Sequence, residues 1–143
     1  MLRFIVPSLT LLLALPFTAQ AASLKDTELN QMLQQVAKQS SVGTPRAINE
    51  DILDQGFTAE GKELIDHLSV RAEHAARMRA DKNTTRYQLG VSVCQNEGFR
   101  KLLARGAVMR YDFTEHKTNK FIGTQRYNAA DCDIKVDGAP KRK

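Results

Sequence analysis

The residues able to do chemistry in this sequence are few and widely spaced. Its three histidines are His67, His74 and His116. On a helix His67 and His74 would lie about two turns apart, too far for easy shared chelation of a metal. A metal role would require Glu63 or Glu73 to join them, and solvated surface histidines are the simpler reading. Glu50, Asp51 and Asp54 form an acidic cluster, but they lack the alternating carboxylate and glycine spacing of a calcium loop. There is no Gly-x-Ser-x-Gly elbow and no Gly-rich phosphate loop. Hydrolysis by paired carboxylates would have to use Glu50, Asp51 and Asp54 with His67. The sequence therefore points to no catalytic residue, no cofactor and no metal, and a non-enzymatic protein is the expectation.

The only two cysteines are Cys94 and Cys132. A bridge between them would close a long loop, and the chain-entropy model puts such a crosslink at roughly 4 kcal/mol if unstrained. The alternatives are free thiols or a metal site. Cys132 lies between Asp131 and Asp133, and neighbouring negative charge disfavours a reactive thiolate. Two cysteines are too few for a closed zinc site without well-placed histidines. A structural disulfide is the leading reading, and it belongs to an oxidising compartment.

Charge is the remaining chemical feature, with a formal net charge of +5. Arg71, Arg77, Arg79, Lys82 and Arg86 lie close in sequence, and Arg100, Lys101 and Arg105 follow. A basic face around Arg77, Arg79, Arg100 and Arg105 would attract an acidic protein or an envelope surface. Nucleic acid is not expected, because the chain reads as exported, has only three tyrosines and six phenylalanines, and shows no RNA-binding motif.

The elements that must position these residues follow from periodicity. Ser23 is placed to cap a helix in which Leu29, Met32, Leu33, Val36 and Ala37 keep the 3.6 period, with Gly43 and Pro45 ending it. Ile48 to Phe57 fits helical spacing in part, whereas the Thr44-Pro45 start and Gly56 argue for an extended segment, and Glu60-Gly61 reads as a turn. Glu63 to Val70 fits a helix or a strand, and the strand reading is spoiled by Asp66. Arg71 to Ala80 reads as helix, broken at Asp81-Lys82-Asn83. Tyr87, Leu89, Val91 and Val93 alternate as in a strand, although a helical turn containing Gly90 also fits. Asn96 caps a helix to about Arg105, with Phe99, Leu102 and Leu103 on one face and Gly106 at the left-handed position after it. Ala107, Met109, Tyr111 and Phe113 alternate as a strand, and Phe121 to Tyr127 returns as its hairpin partner.

Residues 1–21 have the make-up of a secretory signal: Arg3, an apolar core from Phe4 to Phe17, and Ala19-Gln20-Ala21 before a cleavage point. The apolar run is short and proline-interrupted, so stable membrane insertion is not expected after cleavage. Residues 22–135 then form one small domain. Residues 136–143, ending in basic residues, form a flexible tail.

Across this layout the chain resembles the quorum-sensing-regulated virulence factor family of small exported bacterial proteins. The likeness is carried by Ser41-Val42-Gly43-Thr44-Pro45-Arg46, His67-Leu68-Ser69-Val70, Ser92-Val93-Cys94, Phe99-Arg100-Lys101-Leu102-Leu103-Ala104-Arg105-Gly106 and Asp131-Cys132. It covers nearly all of the mature chain, and no piece of it is a mechanistic motif. It implies a small α+β domain with an antiparallel sheet and helices packed on one face, and a link to virulence and its regulation without a biochemical activity. The expectation is an exported, periplasmic or secreted accessory protein that works by binding. A small envelope-polymer hydrolase, or an inhibitor of one, is the alternative, and a structural subunit of an envelope machine is a third reading. Oligomeric state is left open.

Overall fold

The first core-forming element is the helix α1 (Phe17–Ser40), whose Leu29, Leu33 and Ala37 are buried at successive i, i+4 positions. The structure, a computed structural model, describes residues 17–138, with side chains from residue 24 onward. Most of the expected signal, residues 1–16, lies outside the described residues. Helix α1 runs through Ser23, so Ser23 is an interior residue and not the expected cap. The helix ends where the Ser41 hydroxyl donates to the Ala37 carbonyl at 2.7 Å and Gly43 takes a positive φ.

Five strands form one sheet in sequential order: β1 (Arg46–Ala47), β2 (Ile52–Glu60), β3 (Glu63–Val70), β4 (Val108–Glu115) and β5 (Phe121–Tyr127). The expected α+β class, with helices on one face of a single sheet, is what the chain adopts. Three of the strand pairings are antiparallel, as expected. The β3–β4 pairing is parallel, so the sheet is mixed. A parallel pair needs a long crossover. Here α2 (Ala72–Ala80), α3 (Lys82–Gln95) and α4 (Glu97–Ala104) supply it.

Glu63 to Val70 is a strand, and the reason it was ambiguous is its position. It is the central strand, and Leu64, Ile65, Asp66, Leu68, Ser69 and Val70 are all buried. Burial on both faces erases the alternation that identifies a half-exposed strand. The stretch containing Tyr87, Leu89, Val91 and Val93 is helical, not a strand. Leu89 and Val93 pack toward the core while Tyr87 and Val91 face out. Two interleaved i, i+4 pairs imitate strand alternation over one short window.

The remaining elements follow the local signals. Asp81 separates α2 from α3 and caps the latter by accepting the Thr84 N–H at 3.0 Å. Asn96 caps α4 by accepting the Phe99 N–H at 3.0 Å, and Leu102 and Leu103 are buried. Cys94, near the end of α3, is disulfide-bonded to Cys132 in a 3-10 turn, Ala129–Cys132. The tail is held further than expected: the Asp137 N–H donates to the Ala104 carbonyl at 2.7 Å, while residues 139–143 lie outside the described residues.

The face of the sheet away from the helices carries an ionic lattice. Arg110 binds Asp112 through two 2.8 Å hydrogen bonds and Glu63 at 3.0 Å, and Arg126 binds Glu63 at 2.8 Å. Fully buried Ile65 lies between Thr58 and Arg110 in the register.

Candidate partner-binding groove

Two exposed apolar side chains on α3 mark the groove. Tyr87 is 74% exposed and Val91 39%, one turn apart on the outward side of the helix. Between them Gly90 leaves room for the ring of Tyr127 on β5. A Cβ at Gly90 would stand 3.1 Å from Tyr127 Cε1, tighter than an ordinary contact. That close approach is why a helix interior accommodates a glycine that lowers its intrinsic stability. The Tyr127 hydroxyl donates to the Arg86 carbonyl at 2.8 Å, and its ring meets Tyr111 edge-on at 6.1 Å. The resulting hollow, about 460 Å³, is lined by Tyr87, Gly90, Val91, Cys94, Tyr127 and Asp131, among others. The disulfide ties one end of it to the 3-10 turn.

Cations follow the same flank. Arg86 stacks over Tyr127 at 5.1 Å, donates to the Gln125 side chain and the Arg126 carbonyl, and pairs with Asp131 at 3.4 Å. Arg79 pairs with Glu115 at 3.2 Å and donates to the Phe121 carbonyl at 3.4 Å. Lys82 lines a second hollow with Phe121 and Gln125, and Phe121 is 65% exposed. A basic stripe with apolar anchors thus runs beside β5, an edge strand.

The four arginines singled out from sequence are not gathered into one patch. Arg77 and Arg79 are on α2, and Arg77 leans on His74 at 3.2 Å and Asp51 at 3.7 Å. Arg100 and Arg105 belong to the α4 end of the molecule, where Arg100 donates to the Cys94 carbonyl at 2.9 Å and Arg105 reaches Met32 Sδ at 3.7 Å. Arg79 meets the last residue of β4, whereas Arg105 precedes its first, and a strand of 8 residues spans roughly 25 Å. Of the four, only Arg79 lies along β5. Arg86 and Lys82, noted in sequence as basic but not selected, join it there because the α2–α3 break places all three on one flank.

The acidic candidates disperse as well. Asp51 faces His74 and Arg77, while Asp54 is buried in β2. Asp54 pairs with Leu68 in the register, so the adjacent His67 points to the opposite face, where its Nε2 meets Thr58 Oγ1 at 2.7 Å. His116 meets Ser69 at 3.1 Å. The group that sequence reasoning missed is Asp66. It is 6% exposed, beside Asp54 at 4%. Burial, then the charge of and hydrogen bond to Asp54, push its carboxyl up to about 8 against the pull of Arg46. Its signal in the sequence is an acid interrupting the apolar run Leu64-Ile65-Asp66-His67-Leu68.

A family profile described as "Putative quorum-sensing-regulated virulence factor" matches residues 22–133. The chain belongs to this family. Among solved structures, the quorum-sensing-regulated virulence factor fold seen here matches a putative secreted protein from Pseudomonas aeruginosa. The TM-score is 0.75 and the identity 64%, over 76% of this chain and 96% of that one. It also matches two pilotins of type II secretion systems at 18% identity. The Vibrio vulnificus pilotin has a TM-score of 0.62 over 77% of this chain and 96% of its own. The Vibrio cholerae pilotin has a TM-score of 0.60 over 78% of this chain and 99% of its own. At that identity the pilotins share the fold. No curated protein sequence matches the chain. Among the described residues, no helix is long and apolar enough to cross a membrane.

Proposed function

We propose that this family member is a periplasmic or secreted, non-enzymatic accessory protein that works by holding an acidic segment of a protein partner in the α3–β5 groove. The observation that carries the reading is the pairing of Tyr87 and Val91, both exposed, with the Arg79, Lys82 and Arg86 stripe beside a hollow. Apolar anchors framed by charge are the usual anatomy of a protein-binding patch. The secreted relative and the fold shared with type II secretion pilotins support a place in export or envelope assembly. The family name supports a virulence role under quorum-sensing control. The separation of Asp51, Asp54 and His67 supports binding over hydrolysis.

The test compares two double variants of the oxidised chain in crosslinking to envelope and culture-medium fractions. Tyr87→Ala with Val91→Ala abolishes the specific adducts. Arg100→Glu with Arg105→Glu, at the α4 end, leaves them. Loss in the second variant alone transfers the binding face to α4 and contradicts the groove.

A further inference from the structure

The sheet has two edges, and the chain treats them differently. At the first, β1 pairs with β2 only at Leu53 and Asp54. Beyond that pair, helix α1 takes the place of a strand. Ser41 Oγ accepts the Phe57 N–H at 2.8 Å, Gln34 donates to the Ala59 carbonyl at 3.4 Å, and Asn30 donates to the Gly61 carbonyl at 2.7 Å. Short polar side chains thus close the backbone of β2. The second edge is β5.

The direction of the β5 backbone groups follows from its neighbours. The Val108 N–H donates to the Lys62 carbonyl, and the His116 N–H to the Val70 carbonyl, so the even-numbered residues along β4 face β3. The Glu115 N–H donates to the Lys120 carbonyl, so the odd-numbered residues face β5. In the register Met109, Tyr111 and Phe113 meet Tyr127, Gln125 and Gly123. A residue's N–H and C=O leave a strand on one side, and those of the next residue leave on the other. Thr124 and Arg126 therefore direct their backbone groups away from β4, to the edge. The Arg126 carbonyl agrees with this, since it accepts from Arg86 of α3 at 3.1 Å. A row of such groups is a template for a further strand.

This edge is framed by long cations instead of short polar side chains. Arg79 donates to the Phe121 carbonyl at 3.4 Å and Arg86 to the Arg126 carbonyl. Those two carbonyls are five residues apart, roughly 17 Å in an extended chain, and Thr124 lies between them. Gly123 adds room: a Cβ there would meet nothing within 4 Å. The adjoining hollow of about 230 Å³ is lined by Lys82, Thr85 and Phe121, among others. A side chain from a neighbouring strand would find space and a positive charge there.

Building on the groove reading above, we propose that the acidic partner segment is held as an added strand on β5. Its backbone pairs with Thr124 and Arg126, and its carboxylates lie among Arg79, Lys82 and Arg86. Charge selects this occupant over a second copy of the chain. Pairing β5 with β5 would bring two molecules of net charge +5 together along the flank that carries those cations.

The test uses two synthetic six-residue peptides of alternating glutamate and valine, one plain and one N-methylated along its whole backbone, added to the oxidised chain and followed by NMR. The plain peptide slows amide exchange at Thr124 and Arg126. The methylated peptide, with the same charge and no N–H, binds about tenfold more weakly. Thr124→Pro removes one edge donor without removing a bond to β4, and weakens the plain peptide about fivefold. Should that variant not fold, the peptide pair on the unaltered chain decides alone. Equal binding of the two peptides, with shifts at Tyr87 and Val91 and no slowing at Thr124 and Arg126, overturns strand addition and leaves the groove reading standing. Binding of neither peptide also overturns it, and the groove is then judged by the Tyr87 and Val91 crosslinking variants.

Discussion

Glu63 and Asp66 sit three residues apart on β3 and respond to pH in opposite senses. Glu63 lies on the open face. Burial raises its pKa, but hydrogen bonds and charge from Arg126 and Arg110 outweigh this and hold it below the usual carboxylate range. Its contribution to stability is therefore present above the unfolded value near 4.5 and is lost as pH falls through the folded one. Glu63→Gln should cost about 1 kcal/mol at neutral pH and flatten the acid limb of the Tm profile, since it weakens charge-assisted bonds that remain partly solvated. Asp66 behaves the other way, with stability falling as pH rises from about 4 toward 8. A chain carrying both should be most stable in mildly acidic solution, which a Tm series would check. Gly90 is the third residue with a sharp consequence. Gly90→Leu must displace Tyr127, to which even a Cβ is tight, and should cost about 1–3 kcal/mol while closing the groove. Unchanged Tm in Gly90→Leu would show that the α3–β5 contact is looser than described.

At the level of elements, sequence legibility tracked exposure. Helix α1, helix α4 and the β4–β5 hairpin each have one wet and one dry face, so their periods could be read directly. Asn96 and Gly106 punctuated α4 correctly because caps act within a single turn. Central β3 is ambiguous because Ile65 and Ser69 on its open-face side are as buried as Leu64, Leu68 and Val70 on the other, and α3 is misleading because its apolar residues serve two purposes, core and groove. The parallel β3–β4 pairing has no local signature, since it depends on a crossover of three helices. The groove was only partly readable: its arginines were visible as charge, but their grouping along β5 required the α2–α3 break. Two measurements belong at this level. Asn96→Ala should lower stability by about 1 kcal/mol through the lost cap, read by denaturant unfolding. Replacing both cysteines by serine should cost about 2–4 kcal/mol and loosen the α3 end and the 3-10 turn first, which residue-resolved exchange would detect.

For the whole molecule, the sheet divides two surfaces of different character. The open face is knitted by Arg110, Glu63, Asp112 and Arg126, whose charges largely satisfy one another. The α3–β5 flank also pairs cations, Arg79 with Glu115 and Arg86 with Asp131, but adds exposed Phe121, Tyr87 and Val91 and a hollow, and so has more to gain from a partner. With a net charge of +5, the chain should favour acidic surfaces, and capture should weaken with salt. The most direct measurement is site-specific photo-crosslinking in the producing bacterium, with the photoreactive residue placed at Tyr87 or, on the open face, at Thr58. Binding through the groove predicts a discrete protein adduct from position 87 that Arg86→Glu removes, and none from position 58. Adducts from position 58 alone, or adducts from position 87 that persist in Arg86→Glu, would contradict it.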